Sequence, residues 1–389
     1  MRNPLADKVV DIKPSGIRKF FDVANERKDV ISLGVGEPDF DTPWHIRDEG
    51  IYSLEKGRTF YTSNSGLMEL REEIRRYLDR RVHVQYDPQK EILITVGGSE
   101  AIDIGLRAMV NPGDEVLIPQ PSYVSYEPCA ILAGAKPVII ELKNENEFRL
   151  TAEELLAAIT PKTKILVLPF PNNPTGAIMT AKDLEKIAEI VIEKDLFVIS
   201  DEIYSELSYQ GDHVTIASFP GMKERTILIN GFSKAYAMTG WRLGYACGPE
   251  AIIQQMIKIH QFAIMCAPTT SQYAAIDALK NGDEDVARMR ESYNQRRNYL
   301  IHTFKEMNLP CFEPFGAFYV FPCIQEFGIS SDEFAFRLLE EENLAVVPGT
   351  AFGDCGEGFL RISYAYSLKK LKLAMERIDH FITKLRNEK

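Results

Sequence analysis

Cysteine is scarce in this sequence, and it never occurs in the spacing that binds a metal or forms a redox pair. The six cysteines are scattered along 389 residues, with no C-x-x-C motif. This distribution argues against a disulfide framework and a zinc site, and it is typical of reduced thiols in a cytoplasmic protein. The six histidines are equally dispersed and form no H-E-x-x-H motif, so we expect no metal ion.

Long apolar runs and an excess of basic charge are also missing. No uninterrupted apolar segment approaches the ~20 residues that span a bilayer, and the first residues lack the apolar region of a signal peptide. Acidic residues outnumber basic ones by 56 to 45, which gives a net charge of −11. This balance argues against nucleic acid or an acidic membrane as partner, while it leaves room for a local basic pocket.

Apolar strand patterns alternate with amphipathic helix patterns between residues 42 and 249. Strands are predicted at 91–96, 116–119, 136–140, 164–169 and 196–201, with helices between them that include 123–133. This alternation predicts parallel pairing with right-handed crossovers, and hence a doubly wound α/β sheet. In such sheets ligands bind beyond the carboxyl ends of the strands.

The pattern changes after residue 249, and a smaller α+β domain is expected towards the end of the chain. Long helices are predicted first, then short strands, then a closing helix; the ranges are 250–260, 269–280, 284–307, 317–322, 345–349, 359–365 and 368–385. We divide the chain into an N-terminal arm with part of the small domain (1–43), a large domain (44–285) and a small domain (286–389). A short helix is expected at 16–25 in the arm.

A single lysine, Lys234, lies in the segment NGFSKAYAMTGWRLG (230–244), between two apolar strand patterns. One interpretation is a solvated loop cation, the usual environment of lysine. The other is a Schiff-base lysine with a phosphate-binding arginine, Arg242, eight positions later, as pyridoxal-phosphate enzymes require.

Other polar residues stand at the ends of predicted strands or inside them. Asp201 closes an apolar strand, as a turn carboxylate or as the counter-ion of a buried cation. Asn173 belongs to an Asn-Pro turn. Arg361 interrupts the apolar strand FLRISYA, and it needs an anion, either in a salt bridge or on a ligand. Residues 97–99 (GGS) follow a strand and open a helix, which favours phosphate binding.

Four sequence words occur in an informative order: GEPDF (36–40), NNPTG (172–176), SDEIY (200–204) and SKAYAMTGWRLG (233–244). Together they resemble the signatures of class I/II, fold-type I, pyridoxal-phosphate-dependent aminotransferases. The resemblance covers essentially the whole chain, and it is closest to the subgroup of bacterial and archaeal aspartate, aromatic and N-acetyl-diaminopimelate aminotransferases. It implies a mostly parallel, doubly wound large domain and a smaller α+β domain.

The resemblance also implies roles around the reacting atoms. Lys234 would hold pyridoxal 5'-phosphate and move the Cα proton of the substrate. Asp201 would pair with the ring nitrogen. Asn173 and Tyr204 would donate to the phenolic oxygen. Tyr123 would stack on the ring, although a tyrosine of the core or of a helix start is the alternative.

The phosphate and the substrate carboxylate have implied partners as well. The phosphate group would bind Gly97, Gly98, Ser99, Ser233 and Arg242, but Gly231 stands where many relatives carry another hydroxyl. Arg361 would bind the α-carboxylate, with Gly36 and Asn173 beside it. Tyr61 would reach the phosphate in the other subunit, which implies a homodimer with shared active sites.

The expected function is therefore amino-group transfer from an L-amino acid to a 2-oxo acid, such as 2-oxoglutarate, by a ping-pong mechanism. A C–S β-lyase on the same fold is the alternative enzyme. The effector-binding module of a transcription regulator is less compatible, because such proteins carry a DNA-binding domain before this fold.

The amino-acid donor is harder to predict than the type of reaction. Ser99 stands where some aspartate-preferring relatives have a lysine. The expected side-chain pocket (12–17, Tyr123, 317–319 and 269–270 of the partner) offers only Lys13 and Arg18 as nearby cations, so a broad or aromatic preference is favoured.

Overall fold

The computed structural model describes residues 2–14 and 29–388. Its helices are α1 (Asp7–Val10), α2 (Trp44–Glu55), α3 (Met68–Val82), α4 (Gly97–Met109), α5 (Tyr126–Ala133), α6 (Ala152–Ala158), α7 (Ala181–Glu193), α8 (Glu250–Ala263), α9 (Thr269–Asn281), α10 (Asp283–Glu306), α11 (Ser331–Glu342) and α12 (Leu368–Asn387). Its strands are β1 (Ile31–Ser32), β2 (Ile92–Thr95), β3 (Glu115–Gln120), β4 (Lys136–Glu141), β5 (Thr163–Leu168), β6 (Phe197–Asp201), β7 (Thr226–Gly231), β8 (Gly244–Cys247), β9 (Tyr319–Val320), β10 (Leu344–Ala345), β11 (Val347–Pro348) and β12 (Leu360–Ser363). The helix expected at 16–25 lies outside the described residues.

A seven-stranded sheet forms the centre of the molecule, in the order β2-β8-β7-β6-β5-β3-β4. Its strands are parallel except β8, which runs antiparallel to both β2 and β7. The segment between β7 and β8 contains only a 3-10 turn at Thr239–Trp241. Since parallel neighbours need a longer crossover, this short connection returns the chain antiparallel. The predicted mostly parallel, doubly wound sheet is confirmed.

The inner strands are apolar along their whole length because helices cover both faces of the sheet. Leu166 and Val198 face an apolar cluster that includes residues of α7. Ile165 and Ile199, their neighbours in sequence, face the opposite cluster, which includes residues of α4 and α8. The two sides alternate along each strand, as the pleat requires.

The C-terminal part builds a separate apolar cluster around a small antiparallel sheet in the order β11-β12-β9. The N-terminal segment contributes Ile31 and Leu33 to this cluster, and β1 pairs with β10. The domain boundary predicted after residue 285 falls in the first turn of α10. The three-part division therefore stays a prediction.

Several element boundaries differ from those expected. The strand predicted at 317–322 shrinks to β9, because Ala317 has a left-handed backbone conformation (φ 56°). The strand predicted at 345–349 divides between two sheets, as β10 and β11. Helix α11 is not predicted at all, although Ser330 caps its first turn by accepting from the Glu333 N–H.

Two negative findings apply to the described part of the chain. No helix there combines the length and apolarity needed to cross a bilayer. No group of three or more histidine, cysteine, aspartate or glutamate side chains is arranged there to hold a metal ion.

Candidate active site

A cavity of about 580 Å³ opens beyond the carboxyl ends of β5, β6 and β7. The segments that follow these strands supply one wall, and Tyr319 and Arg361 of the small antiparallel sheet supply another. The predicted site residues that line it are Gly36, Gly98, Ser99, Tyr123, Asn173, Asp201, Tyr204, Ser233, Lys234, Arg242 and Arg361. The position agrees with the rule that ligands bind at the carboxyl edge of such sheets.

Lys234 lies in the irregular connection between β7 and β8. Its Nζ donates to the carbonyl oxygen of Gly36 at 2.6 Å, and no described carboxylate forms a salt bridge with it. Burial lowers the pKa of Lys234 to about 8; nearby Arg361 and Arg242 act in the same direction, while Glu37 opposes them. A substantial fraction of this amine is therefore neutral near pH 8, as a nucleophile or base must be.

Asp201 ends β6 and is only 7% exposed. One carboxylate oxygen accepts from the Tyr126 hydroxyl at 2.7 Å, and the other accepts from the Ile203 backbone N–H at 3.2 Å. The second contact is the turn bond that one interpretation of Asp201 expects. No described cation forms a salt bridge with Asp201, and burial raises its pKa. A buried carboxylate in this state is suited to a cationic ligand atom.

The start of α4 forms a corner of the cavity with Arg242. Gly97 has a left-handed backbone conformation (φ 77°), and a Cβ there would lie 2.8 Å from Nη2 of Arg242. The guanidinium of Arg242 donates through Nη1 to the Thr239 carbonyl at 3.0 Å, and no described acid pairs with it. Free helix N–H groups and an unpaired guanidinium thus meet at one corner, which suits a phosphate group.

Arg361 of β12 is 2% exposed. Its Nη1 donates to Oδ1 of Asn173 at 2.9 Å, its Nη2 donates to the Gly34 carbonyl, and its buried Nε has no hydrogen-bond partner among the residues that the structure describes. Burial lowers the pKa of the guanidinium. The described residues supply no acid for the salt bridge that one interpretation requires, so an anionic ligand is the remaining partner they leave open.

Two tyrosines in the cavity wall have contacts that sequence reasoning missed. Tyr126 binds Asp201 and also packs edge-on against Tyr123, with ring centroids 5.7 Å apart. Tyr319, expected only as pocket lining, shares a hydroxyl–hydroxyl bond of 2.8 Å with Tyr204. Both bonds join residues far apart in sequence, so no local pattern could have revealed them.

Tyr61 lies outside this cavity and is 82% exposed. The neighbouring Phe60 carbonyl accepts from the Thr269 hydroxyl at 2.8 Å, which places this loop beside the start of α9. Thr269 and Thr270 do not line the cavity either. Within one chain, these three predicted positions are therefore not brought together with the others.

The chain matches the model of the family described as aminotransferase class I and II over residues 28–378. This chain belongs to the class I and II aminotransferase family.

Relatives that cover nearly the whole chain agree. A putative aminotransferase of Bacillus subtilis is 51% identical, over 99% of this chain and 100% of that one. An aspartate aminotransferase of Pyrococcus abyssi is 48% identical, over 96% of this chain and 97% of that one. The crystal structure of an aromatic aminotransferase from Pyrococcus horikoshii superimposes with a TM-score of 0.91 at 47% identity, over 94% and 99% of the two chains.

The aminotransferase fold and activity expected from sequence are thereby confirmed. The protein is an enzyme that transfers amino groups, and the C–S β-lyase alternative is not favoured.

Proposed function

We propose that this aminotransferase uses pyridoxal 5'-phosphate, carried by Lys234 in the cavity described above. The observation that carries the proposal is a set of four charged side chains at one cavity, none of which forms a salt bridge with a described residue: Lys234, Asp201, Arg242 and Arg361. Uncompensated buried charges are costly, so the grouping of Lys234, Asp201 and Arg361 favours a ligand that supplies the missing charges, and the exposed Arg242 at the rim adds a cation for its anionic group.

The residues fit this cofactor group by group. The buried carboxylate of Asp201 suits a protonated ring nitrogen, and the corner formed by Gly97, Gly98 and Arg242 suits a phosphate. Ser99 and Ser233 line the same cavity and add hydroxyl groups. Asn173 accepts from Arg361 through Oδ1, so its amide hydrogens remain available for a phenolic oxygen.

Pyridoxal phosphate, when bound, supplies an electron-accepting ring for the negative charge that develops at the substrate Cα. Arg361 binds and orients the α-carboxylate of the donor. Once the donor's amino group has displaced it from the cofactor, the neutral amine of Lys234 would take the proton from Cα and deliver it to the cofactor carbon C4′. Tyr204 offers a hydroxyl at the same wall, and the aromatic ring of Tyr123 lines the cavity, where it would stack on the cofactor ring. A 2-oxo acid, such as 2-oxoglutarate, then takes the amino group in the second half-reaction.

The donor class follows from the charges that line the cavity. Among its described lining residues the cations are Lys234, Arg242 and Arg361, and the proposed roles use all three. Glu37 adds an acid at the same cavity, and Arg18 lies outside the described residues. A second substrate carboxylate therefore has no dedicated cation in this wall, which favours aromatic or broad donor use.

Single half-reactions test both the proposed cofactor and the proposed class of amino donor. The cofactor-loaded enzyme is mixed with tyrosine, phenylalanine or aspartate, and the change in the cofactor's absorbance is followed. We expect rapid amino transfer and a kcat/KM ratio of tyrosine over aspartate above one. A ratio well below one would contradict the donor class alone, whereas the absence of any cofactor absorbance would contradict the cofactor.

We further propose a homodimer in which Tyr61 contributes to the partner's site. Tyr61 lies on a strongly exposed apolar surface that includes Phe60 (82% exposed) and Phe262 (87% exposed). The Asn64 side chain donates to the Met265 carbonyl at 2.8 Å, so the loops around these residues are adjacent. Exposed apolar patches of this kind mark association surfaces. An active monomer in sedimentation would refute this assembly, and Tyr61→Phe should weaken cofactor binding.

We also propose a cytoplasmic location. All six cysteines are free in the structure, as suits a reducing compartment. Fractionation of the source cells tests this directly.

A further inference from the structure

Tyr319 is the side chain whose position the proposed function leaves unexplained. It is 1% exposed, lies in β9, and its hydroxyl forms the 2.8 Å bond with the Tyr204 hydroxyl. Its ring also stacks against the Arg361 guanidinium, 4.7 Å from the ring centroid. Tyr319 therefore touches a predicted cofactor residue and a predicted substrate residue at once.

The same hydroxyl also lies against the backbone of Gly36. A Cβ added at residue 36 would overlap the Tyr319 hydroxyl oxygen, and the next nearest atom would be Cζ of Tyr319 at 3.4 Å. The Gly36 carbonyl, in turn, accepts from Nζ of Lys234 at 2.6 Å. The Tyr319 hydroxyl is thus held between Tyr204 and Gly36, and both of these residues lie beside the amine of Lys234.

The number of hydrogens that each hydroxyl can donate decides the role of the Tyr319 hydroxyl. Tyr204 has a single hydrogen to donate, and either oxygen of the pair can be the donor. When Tyr204 donates into the cavity, Tyr319 must donate to Tyr204. That bond aims the lone pair of Tyr204 away from the cavity and its hydrogen towards it.

We infer that Tyr319 is a positioning residue that directs the Tyr204 hydroxyl into the cavity and fixes the Gly36 backbone. The inference rests on the proposed cofactor, because only an acceptor in the cavity gives the direction of the Tyr204 hydrogen a consequence. It also implies that Tyr319 does not determine which amino acid serves as the amino donor, because its hydroxyl is already hydrogen-bonded to Tyr204.

The test compares Tyr319→Phe with the matched control Tyr364→Phe. Tyr364 is fully buried in the same apolar cluster, but its hydroxyl donates to the Ala317 carbonyl at 3.1 Å and does not touch Tyr204. Both changes remove a buried tyrosine hydroxyl together with its hydrogen bonding, so both should lower the melting temperature of the cofactor-free protein. The absorbance of the bound cofactor changes with pH as the cofactor loses a proton. Only Tyr319→Phe should raise the midpoint of this change, by about half a pH unit or more, because a misdirected Tyr204 hydroxyl stabilises the deprotonated cofactor less.

A double substitution tests the steric contact independently of the spectrum. Gly36→Ala should lower the melting temperature of the cofactor-free protein and its affinity for pyridoxal phosphate. In the Tyr319→Phe background the same change should be tolerated, since the overlapping oxygen is gone. Such non-additivity is the expected signature of direct contact.

Each result has a definite meaning. An unshifted midpoint in Tyr319→Phe, or equal damage by Gly36→Ala in both backgrounds, would overturn the role of Tyr319. A change in the tyrosine-to-aspartate kcat/KM ratio in Tyr319→Phe would also overturn it, in favour of a specificity role. If the unsubstituted protein binds no cofactor at all, the proposed function itself fails.

Discussion

Two buried arginines in this protein differ in whether an acidic side chain pairs with them. Arg297 is 6% exposed and donates to the Glu313 carboxylate at 2.8 Å and to the Pro314 carbonyl at 3.2 Å. Arg361 is 2% exposed, has no acid partner among the described residues, and leaves its Nε unbonded. Arg297 is compensated within the protein, whereas Arg361 lines the cavity without a described acid partner, so a ligand in the cavity can supply the missing negative charge.

Two consecutive acids repeat the contrast. Glu202 is 2% exposed and accepts from Ser200 at 2.8 Å, Thr215 at 2.5 Å and His213 at 2.8 Å. Asp201, one position earlier, faces the cavity with one hydroxyl and one backbone donor. Asp201, the last residue of β6, therefore serves the cavity, and Glu202, which follows it, serves the structure.

The largest effect is expected when the charge of each of these two arginines is removed in turn. Arg361→Met should lower kcat/KM roughly a thousandfold, about 4 kcal/mol, because the donor carboxylate loses its charged partner. Arg297→Met should keep kcat/KM within tenfold but lower the free energy of unfolding more than Arg361→Met does. Donor half-reactions and denaturant unfolding of both variants measure this. Equal losses of activity in the two variants would remove the distinction.

The acid pair should give the next largest effect. Asp201→Asn should fold normally but slow proton removal from the donor about a hundredfold, because a neutral amide cannot keep a ring nitrogen protonated. Glu202→Gln should lose stability and retain most of the rate, because its partners are structural. Single-turnover rates and melting temperatures separate the outcomes. Near-normal rates for Asp201→Asn would make its assigned role wrong.

Two lysines extend the contrast to pH. Lys280 donates to Glu69 at 2.8 Å and this bond raises its pKa, whereas burial lowers the pKa of Lys234 from 10.5 to about 8. Between pH 8 and 10.5 the unfolded chain binds the proton that folded Lys234 has lost, so the stability of the cofactor-free protein gains from rising pH in that window.

Lys234→Met should therefore raise the melting temperature of the cofactor-free protein below pH 8, and this gain should shrink as the pH approaches 10.5. Lys280→Met should give a small loss at neutral pH, as expected for an exposed ion pair. Parallel melting curves at pH 7, 8, 9 and 10 measure both differences. A pH-independent difference for Lys234→Met would contradict its lowered pKa.

The smallest effect concerns Tyr126. Tyr126→Phe removes one of the two described donors to Asp201, and a hydrogen bond to a charged group contributes about 1.5–3 kcal/mol. We expect several-fold weaker cofactor binding with the ring packing on Tyr123 retained. Titration of the cofactor-free protein measures the affinity, and unchanged affinity would mean that Tyr126 only fills space.

Much of this arrangement could be predicted because strand ends and their polar residues are local features. Asp201, Asn173 and Lys234 each follow an apolar strand, and parallel pairing brings such ends to one edge. Tyr126 and Tyr319 could not be predicted, because their partners lie 75 and 115 residues away.

The fold shows the same division between local and distant information. The alternation of helices and strands predicted the parallel core. The fragmented strands near 317–322 and 345–349 depend on a left-handed residue and on exchange between sheets, which tertiary contacts decide.

The most direct test of the central claim, that the uncompensated charges form a cofactor site around Lys234, is chemical mapping. Cofactor-loaded protein is reduced with borohydride, digested, and the modified peptide is identified by mass spectrometry. The account predicts a single modified peptide that contains Lys234, and no fixed cofactor in Lys234→Ala. Fixation at any other lysine, with Lys234 unmodified, would contradict it.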